Sequence, residues 1–260
     1  MRLYNLINNF LKYSPLLIQL VKSDLSKKYR RSVLGYAWSL LNPIFMMIVI
    51  SFVFSNLFNR SIENFPIYLI LGQTIWLLHS ETSTGAMKSI NLSSALLKKI
   101  YVPKYIFPFS KALFALINSV FSILAVFIVI IFTRTPITWT VLFFPLPMIY
   151  TLVFSTGFGL ILCVFDVRFK DTEHLYGVAL LAWMYLSAIF YPASNLPHNV
   201  QRAIQFNPMY QFINYMRTVI LYNRAPTLRQ NMICLASSGL IFIAGLFLFY
   251  KKQDDFMLYL

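Results

Sequence analysis

The sequence predicts an all-α, polytopic membrane protein with six transmembrane helices, and its composition and long apolar runs carry this prediction. Of its 260 residues, 58% are hydrophobic and only 12% are charged, and the mean hydropathy is +0.67. A soluble domain of this size needs far more charge to cover its surface. Apolar runs of about 18 residues or more recur along the chain, and such runs are typical of membrane-spanning helices.

Six apolar runs reach the length of about 20 residues that a helix needs to cross a bilayer. In chain order they are Val33–Leu57, Pro66–Met87, Ala112–Phe132, Val141–Phe165, Leu175–Ala193 and Asn231–Tyr250. Pro145 and Pro147 lie near the start of the fourth run, so this helix is expected to begin later or to be kinked. We predict one transmembrane domain over the whole chain, with an N-terminal segment (1–32), a bundle (33–250) and a tail (251–260).

A further stretch, Val200–Tyr222, is moderately apolar but contains two arginines, several amides and a proline. We expect it to form an external re-entrant helical hairpin before the last span, dipping into the outer leaflet without crossing. Such backbone is tolerated at membrane depth only where protein or a wet cavity covers it. The alternative, a seventh span, would place the tail outside.

The distribution of lysine and arginine predicts that both ends of the chain are cytoplasmic. Of the 22 such residues, only six fall on the side away from the ends, and these are Arg60, Arg134, Arg202, Arg217, Arg224 and Arg229. Cytoplasmic loops accumulate lysine and arginine. The net charge of +14 comes in short blocks between the apolar runs, which this rule explains better than nucleic-acid binding does. The first apolar run is too long for a cleavable signal peptide, so we expect it to remain as a span.

The segment Leu16–Ser32 predicts an amphipathic basic helix. Its leucines and Val21 can share one helical face, while its lysines and arginines crowd the second half. Such a helix lies in the plane of the membrane interface and is attracted to anionic lipid. A simple positive-inside anchor is the alternative interpretation.

Two loops on the side of the termini are candidate docking points for a partner. The loop Leu96–Pro108 mixes bulky apolar, aromatic and lysine side chains where water is expected, and such a patch favours docking over simple wetting by lipid headgroups. The loop Val164–Tyr176 alternates acidic and basic residues. This second loop is either another docking point or a solvated helix end.

Polar and aromatic residues inside the predicted spans are candidates for a translocation path. Glu81 lies in the polar second half of the second span, and an ionisable residue there is a functional-site hypothesis by default. We favour a structural role, such as pairing with a lysine or holding helices together, over a proton relay. In the fifth span Trp183, Tyr185, Phe190 and Tyr191 could form a smooth aromatic track for a sugar chain; belts and helix packing are the alternative.

Several absences limit the chemistry of the chain. It has no phosphate-binding loop of the Gly-x-x-x-x-Gly-Lys-Ser/Thr type, so it is not expected to hydrolyse ATP by itself. It lacks the Gly-x-Ser-x-Gly and His-Glu-x-x-His signatures as well. Cys163 and Cys234 are far apart within apolar stretches, which indicates neither a disulfide nor a metal site. We therefore predict no catalytic residue, bound metal or cofactor in this chain.

The segment Leu20–Pro43 reads LVKSDLSKKYRRSVLGYAWSLLNP and resembles the entry of polysaccharide and teichoic-acid ABC export permeases, a type-2 ABC permease class that includes O-antigen permeases. The residues that carry the resemblance here are Asp24, Leu25, Tyr29, Arg30, Ser32, Leu34, Gly35, Trp38 and Pro43. Further motifs follow in the family's order: Lys98, Lys99, Pro103 and Pro108; then Asp166, Val167, Arg168, Asp171 and His174 ahead of Phe190, Tyr191 and Pro192; then Asn207 and Pro208. Several motifs together are specific to the family but not to a cargo.

The resemblance implies a homodimer of six-span permeases bound to two separate nucleotide-binding subunits, which would hold ATP and Mg²⁺. It implies a coupling helix around Leu97–Tyr105, an N-terminal helix beside the ATPase, an external gate at Val200–Tyr222, and a path lined by the first and fifth spans. The residues that we assign to coupling are Asp24, Tyr29, Arg30, Leu97, Lys98, Lys99, Tyr101, Pro103, Lys104, Asp166, Arg168 and Asp171. We assign Tyr36, Trp38, Glu81, Trp183, Tyr185, Phe190 and Tyr191 to the path, and Asn207, Pro208, Tyr210 and Tyr215 to the gate.

The resulting hypothesis is export of a lipid-linked polysaccharide of the O-antigen type across a bacterial inner membrane. Teichoic-acid export is the alternative within the class. An exporter of drugs or small lipids, and an integral-membrane glycosyltransferase or ligase, are the others. The membrane enzyme would need an essential acidic or basic site and no ATPase partner.

Overall fold

The computed structural model describes residues 12–30, 32–58, 62 and 64–260, and all regular secondary structure in this part of the chain is helical. The α-helices are α1 (Ser14–Tyr29), α2 (Ala37–Phe58), α3 (Phe65–Leu92), α4 (Ser94–Leu97), α5 (Ile106–Thr133), α6 (Pro145–Arg168), α7 (Thr172–Tyr185), α8 (His198–Ile204), α9 (Pro208–Ile220), α10 (Leu228–Lys252) and α11 (Phe256–Tyr259). Short 3₁₀ turns lie at Trp139–Phe143, Ala193–Asn195 and Gln253–Asp255.

Four helical stretches in the described residues are both long and apolar enough to cross a membrane. They are Ala37–Phe54, Ile106–Thr133, Trp139–Arg168 and Leu228–Tyr259, and they correspond to the first, third, fourth and sixth predicted spans. Helix α3 has 28 residues and is about 42 Å long at 1.5 Å per residue. Its length suits the second predicted span, but because its second half is polar, α3 is not among the four stretches that are apolar enough to cross a membrane.

The fifth predicted span, Leu175–Ala193, is not a continuous helix. Helix α7 begins at Thr172 and ends at Tyr185, so it is about 21 Å long. An irregular segment follows, in which Ala188 adopts a left-handed backbone conformation with φ of +49°. The hydrophobic pattern did not reveal this break. Side chains from distant parts of the chain bind the backbone carbonyls of the irregular segment, and a local pattern contains no sign of them.

The predicted coupling helix over Leu97–Tyr105 was also wrong in its bounds. The only helical turn there, α4, ends at Leu97, and the backbone from Lys98 to Tyr105 is irregular. Pro103 has no N–H to donate, and its ring disfavours a helical conformation at the preceding residue. Pro108 does not end this loop either. It lies in the first turn of α5, where a missing N–H costs little.

Helix α6 is the centre of the bundle and packs most extensively against α3 and α10. Glycines allow the close approach of these helices. A Cβ atom at Gly157 would overlap the backbone of Phe242 in α10, and one at Gly159 would lie 2.6 Å from Ala86 Cβ in α3. By contrast, α2 and α7 lie at the periphery: only 11% of the residues in the α2 stretch are buried, and Tyr176 is the buried residue of α7.

The bundle has two ends that differ in character. At the hairpin end, α8 and α9 form two short helices joined through Gln205–Asn207. At the opposite end, which we call the lysine-rich end, the loop 93–105, the loop 169–171 and the segment 253–260 come together. Two apolar clusters fill the interior. One lies beneath the hairpin, and the other lies between α1, the two loops and the segment 253–260.

Candidate functional site

The irregular segment Leu186–Tyr191 is held by a buried arginine of α9. Arg217 is only 2% exposed. Its Nη1 donates to the carbonyl oxygen of Ala188 and its Nη2 to that of Ile189, both at 3.0 Å, while its Nε donates to that of Tyr68 at 3.2 Å. One guanidinium therefore satisfies three backbone carbonyls from two separate elements, which is the geometry its planar fork favours.

Tyr68 of α3 also binds this segment. We use the name junction for the segment Leu186–Tyr191 together with Tyr68, Asn207 and Arg217. The Tyr68 ring stacks against the Arg217 guanidinium at 3.3 Å from the ring centre. Its hydroxyl donates to the Tyr191 carbonyl at 2.8 Å and to that of Ala188 at 3.3 Å. Gly72 makes room, since a Cβ there would lie 2.9 Å from Arg217 Nη2.

Asn207, which we assign to the gate, links α9 to the end of α7. Its Oδ1 accepts from the backbone N–H of Met209 at 3.0 Å, so it caps α9, and it also accepts from Trp183 Nε1 at 2.9 Å. Its Nδ2 donates to the Leu186 carbonyl at 3.0 Å and to Ser187 Oγ at 3.1 Å. The structure thus brings the predicted path residue Trp183 into contact with the predicted gate.

The other predicted gate residues differ in their surroundings. Tyr215 is fully buried, and its hydroxyl donates to Asn231 Oδ1 of α10 at 2.8 Å. Pro208 and Tyr210 instead line an open cavity of about 710 Å³ at the hairpin end, together with Arg224 and Arg229. Tyr215 therefore anchors α9 inside the bundle, whereas Pro208 and Tyr210 contribute to its surface.

Trp183 belongs to an aromatic cluster in the middle of the bundle. Its ring packs edge-on against the buried His79 ring at 5.0 Å and against Phe158 at 5.4 Å. Nδ1 of His79 forms a 2.7 Å hydrogen bond with Ser155 Oγ, and Nε2 has no hydrogen-bond partner. These aromatic contacts favour helix packing as the role of Trp183.

Glu81 forms an ion pair with the N-terminal helix. Lys28 Nζ and Asn118 Nδ2 both donate to Glu81 Oε1 at 2.9 Å. This is the pairing with a lysine considered from the sequence. The pair lies at one end of a cavity of about 280 Å³ that Trp38 also lines.

A second cavity, of about 230 Å³, continues this groove along α2. The two cavities share Asn42, Pro43 and Leu77, and the second reaches Phe190 beside the junction. Tyr36, Trp38 and Tyr185 are about half exposed, while Phe190 and Tyr191 are partly buried. The predicted path residues thus lie along and around one side of the bundle, with the exception of Trp183 in the interior.

At the lysine-rich end, several predicted coupling residues make specific contacts. Asp24 of α1 accepts from Lys111 Nζ at 2.7 Å. Asp166 is buried and accepts from Asn91 Nδ2 at 2.7 Å, which fixes the end of α6 against α3. Arg168 pairs with Asp255 at 2.8 Å. Charged contacts therefore fix α1 and the end of α6 to the neighbouring helices and to the segment 253–260.

The remaining predicted coupling residues lie on or near the loop surface. Lys98 Nζ donates to the Leu260 carbonyl, and Lys104 Nζ to that of Gln253, both at 2.6 Å. Leu97 is buried and Pro103 is partly buried; Arg30, Lys99, Tyr101 and Asp171 are exposed. The side chain of Tyr29 lies outside the described part of the chain.

Sequence reasoning missed the roles of two residues in particular. Arg217 falls on the apolar face of α9, four residues after Ile213 and eight after Met209, and this helical spacing was the available signal of burial. Lys88 directly follows the second predicted span, Pro66–Met87, and it donates to Glu173. That hydrogen bond holds the pKa of the Glu173 carboxyl below its usual value.

In the described residues, no group of three or more His, Cys, Asp and Glu side chains is placed to hold a metal ion. The polar groups bind one another or backbone carbonyls across helices. What the arrangement can do is hold helices in register and present grooves and loop surfaces to other molecules.

Comparison with known proteins identifies the relatives of this chain. The sequence model of the ABC-2 type transporter family matches residues 15–221. The O-antigen export system permease protein RfbA of Myxococcus xanthus is 28% identical over 254 residues, which cover 96% of this chain and 97% of that protein. RfbA of Klebsiella pneumoniae is 26% identical over 244 residues, 93% of each chain. The polysialic acid transport protein KpsM of Escherichia coli is 21% identical over 248 residues, 90% of this chain and 92% of that protein.

Proposed function

The chain belongs to the ABC-2 type transporter family, and from this premise we propose that it is the membrane-spanning subunit of an exporter of lipid-linked polysaccharide of the O-antigen type. The observation that carries the proposal is the end-to-end similarity to permease proteins of glycan export. Relatives named for O-antigen export align over more than nine-tenths of both chains. Their names favour a glycan over a drug or a small lipid as the cargo.

We infer that ATP and Mg²⁺ bind to a separate nucleotide-binding subunit. This chain has no phosphate-binding loop, and its relatives are named as permease or transport proteins. Two such subunits would drive a homodimer of this chain. Lysine and arginine are in excess on the side of the membrane where the termini lie. This excess supports a multi-pass inner-membrane protein with both termini in the cytoplasm.

Six spans per subunit remain our proposal. The second half of α3 is polar, but its His79, Thr82 and Ser83 are fully buried within the bundle. Lipid therefore does not contact these side chains. The fifth span would be α7 followed by the junction. There, Arg217, Tyr68 and Asn207 satisfy carbonyls of the broken backbone, which is the condition for such backbone at membrane depth. By the same reasoning α8 and α9 would form the re-entrant hairpin.

The translocation path would run along α2 and α7, because few residues of these helices are buried within one subunit. The groove from Lys28 to Phe190 follows α2, and Tyr36, Trp38 and Tyr185 are exposed near it. Glycans stack on aromatic faces through their weakly apolar C–H groups. In the dimer, these side chains would face the partner's copy across the path, while Glu81 and Trp183 hold the helices behind it.

Coupling to the ATPase would occur at the lysine-rich end. Tyr101 is 96% exposed at the tip of the loop 93–105, and Leu97 beneath it belongs to the core that also holds α1. Movement of this loop would therefore be transmitted to α3, α5 and the N-terminal helix. At the far end, α9 is tied to the junction, so displacement of α3 would move the gate through Tyr68 and Arg217.

Reconstitution of transport tests this proposal. The permease and its nucleotide-binding subunit are placed in proteoliposomes with the ATPase outside, together with lipid-linked O-polysaccharide. We expect ATP to move the polymer into the lumen, where an added glycan-cleaving enzyme cannot reach it. The matched control is a complex whose ATPase subunit lacks its catalytic base. Protection without ATP, or equal protection with the inactive ATPase, would contradict the proposal.

A further inference from the structure

The segment 253–260 follows α10 and packs against the lysine-rich end of the bundle. Phe256 is fully buried, and its ring packs edge-on against Phe249 at 5.3 Å between ring centres. It shares one apolar cluster with Leu97 and Val102 of the first loop and with Val167 at the end of α6. The core that holds the loops therefore also fixes this segment.

Polar contacts join the segment to both loop regions. On one side, Lys104 Nζ donates to the Gln253 carbonyl at 2.6 Å, and Lys98 donates to that of Leu260. On the other side, Arg168 pairs with Asp255 at 2.8 Å, and its guanidinium lies 5.4 Å from the centre of the Tyr259 ring. The segment thus bridges two loops that are about 65 residues apart in the sequence.

Once fixed in this way, the segment presents apolar side chains outward. Leu258 is 83% exposed, and Met257 and Tyr259 are about half exposed. Tyr101 and Phe169 are exposed on the two loops that the segment bridges. Exposed apolar groups that continue from one element to the next are typical of a surface that a partner covers.

We propose that the segment 253–260 is a third element of the ATPase-docking surface, beside the two loops. This inference rests on the proposed function. The family match ends at residue 221, so it assigns nothing to this segment. The occupant is the nucleotide-binding subunit, because the segment is bonded to the same lysines, Lys98 and Lys104, that belong to the first docking loop.

Charge defines the surface expected on that subunit. Lys99, Lys170 and Lys251, on the two loops and in the last turn of α10, are exposed. A complementary partner would offer an apolar pocket for Leu258 with acidic side chains at its rim. On this surface Leu258 contacts the ATPase, whereas Phe256, Asp255 and Arg168 hold the segment 253–260 in position.

Cysteine accessibility in the intact complex tests the inference. The native Cys163 and Cys234 are both buried, so a maleimide reagent reports on an introduced cysteine. Three exposed positions are compared in lipid nanodiscs with and without the ATPase subunit: Leu258→Cys, Tyr101→Cys on the first loop, and Phe206→Cys at the hairpin end. We expect the ATPase to slow labelling at Leu258 and Tyr101 by about tenfold or more, as a covered interface excludes solvent, and to leave Phe206 unchanged.

The outcomes separate the inference from the proposed function. If Tyr101→Cys is protected and Leu258→Cys is not, the segment lies outside the docking surface and the inference fails while the exporter assignment stands. If the ATPase binds and neither position is protected, both the inference and the coupling assignment are overturned. Protection of Leu258→Cys by lipid alone, relative to detergent, would also overturn the inference.

A second pair of variants tests the positioning contact. Asp255→Asn removes the charge that Arg168 binds, whereas Asp254→Asn removes an equal charge from an exposed neighbour. We expect Asp255→Asn to lower the affinity for the ATPase subunit severalfold and Asp254→Asn to leave it unchanged. Equal affinity for both variants would overturn the positioning role.

Discussion

Arg217 places a positive charge on the face of α9 whose other residues are apolar. A buried charge is costly unless hydrogen bonds replace its hydration. Here, three carbonyl oxygens and the Tyr68 ring surround the guanidinium. Two of these carbonyls belong to Ala188 and Ile189, just beyond the end of α7, where the helix dipole favours a cation. The charge is therefore stabilised without a carboxylate.

Replacement of Arg217 by lysine tests this junction. Lysine keeps the charge but cannot reach three carbonyls, so at least one buried acceptor loses its partner, at a cost of about 1–3 kcal/mol. We expect Arg217→Lys to lower the thermal unfolding temperature of the purified protein and to abolish export. Arg202→Lys, at an exposed position of α8, is the control. Equal stability of the two variants would show that the junction is not a stabilising contact.

Single residues were predictable to different degrees. Lysine pairing was foreseen as a role for Glu81, because an intramembrane acid needs a partner, but the sequence did not identify Lys28, 53 residues away. Asn207 was identified through the family resemblance, whereas its bond to Trp183 depends on how α7 ends. Arg217 was counted with the external charges, since the charge rule considers loops and not the faces of short helices.

Helix α6 shows how glycine determines the packing of whole elements. Its Gly157 faces Gly245 of α10 so closely that neither position has room for a Cβ atom. Small residues allow such an approach between helices in a membrane, where dispersion contacts replace the hydrophobic effect as the source of stability. The α6–α10 contact then fixes the last span and, through it, the position of the segment 253–260.

An added methyl group tests this contact. Gly245→Ala would press against the Gly157 backbone, and overpacking of this kind costs about 1–3 kcal/mol. We expect a lower midpoint for thermal aggregation of the detergent-solubilised protein. Gly239→Ala on the same helix meets nothing within 4 Å and serves as the control. If both variants aggregate at the wild-type temperature, the two helices do not approach as described.

At the level of elements, hydrophobic periodicity predicted the long apolar helices and missed the breaks between them. Four predicted spans coincide with long apolar helices, because lipid requires the continuous apolar runs that make them visible. The break after Tyr185 depends on donors from α3 and α9, which no local pattern contains. The loop Lys98–Tyr105 was predicted to be helical from the resemblance, although Pro103 opposes a helix there.

At the level of the whole molecule, the two ends of the bundle are connected through α3. Near one end of this helix Asn91 donates to Asp166 of α6, and near the other Tyr68 donates to the Tyr191 carbonyl within the junction. The family and the helical membrane class were predictable, because several motifs and the composition extend over the whole chain. The proposed dimer and path depend on surfaces of α2 and α7 that a single subunit leaves uncovered, and these a sequence does not reveal.

The location of polymer in cells that lack this gene tests the central claim most directly. Membranes are isolated as right-side-out and inverted vesicles, and full-length lipid-linked glycan is probed on each face with an antibody. We predict that synthesis continues and that polymer accumulates on the cytoplasmic face, with export restored by the wild-type gene. Polymer that still reaches the outer face, or a complete absence of polymer synthesis, would contradict the assignment of this chain as an export permease.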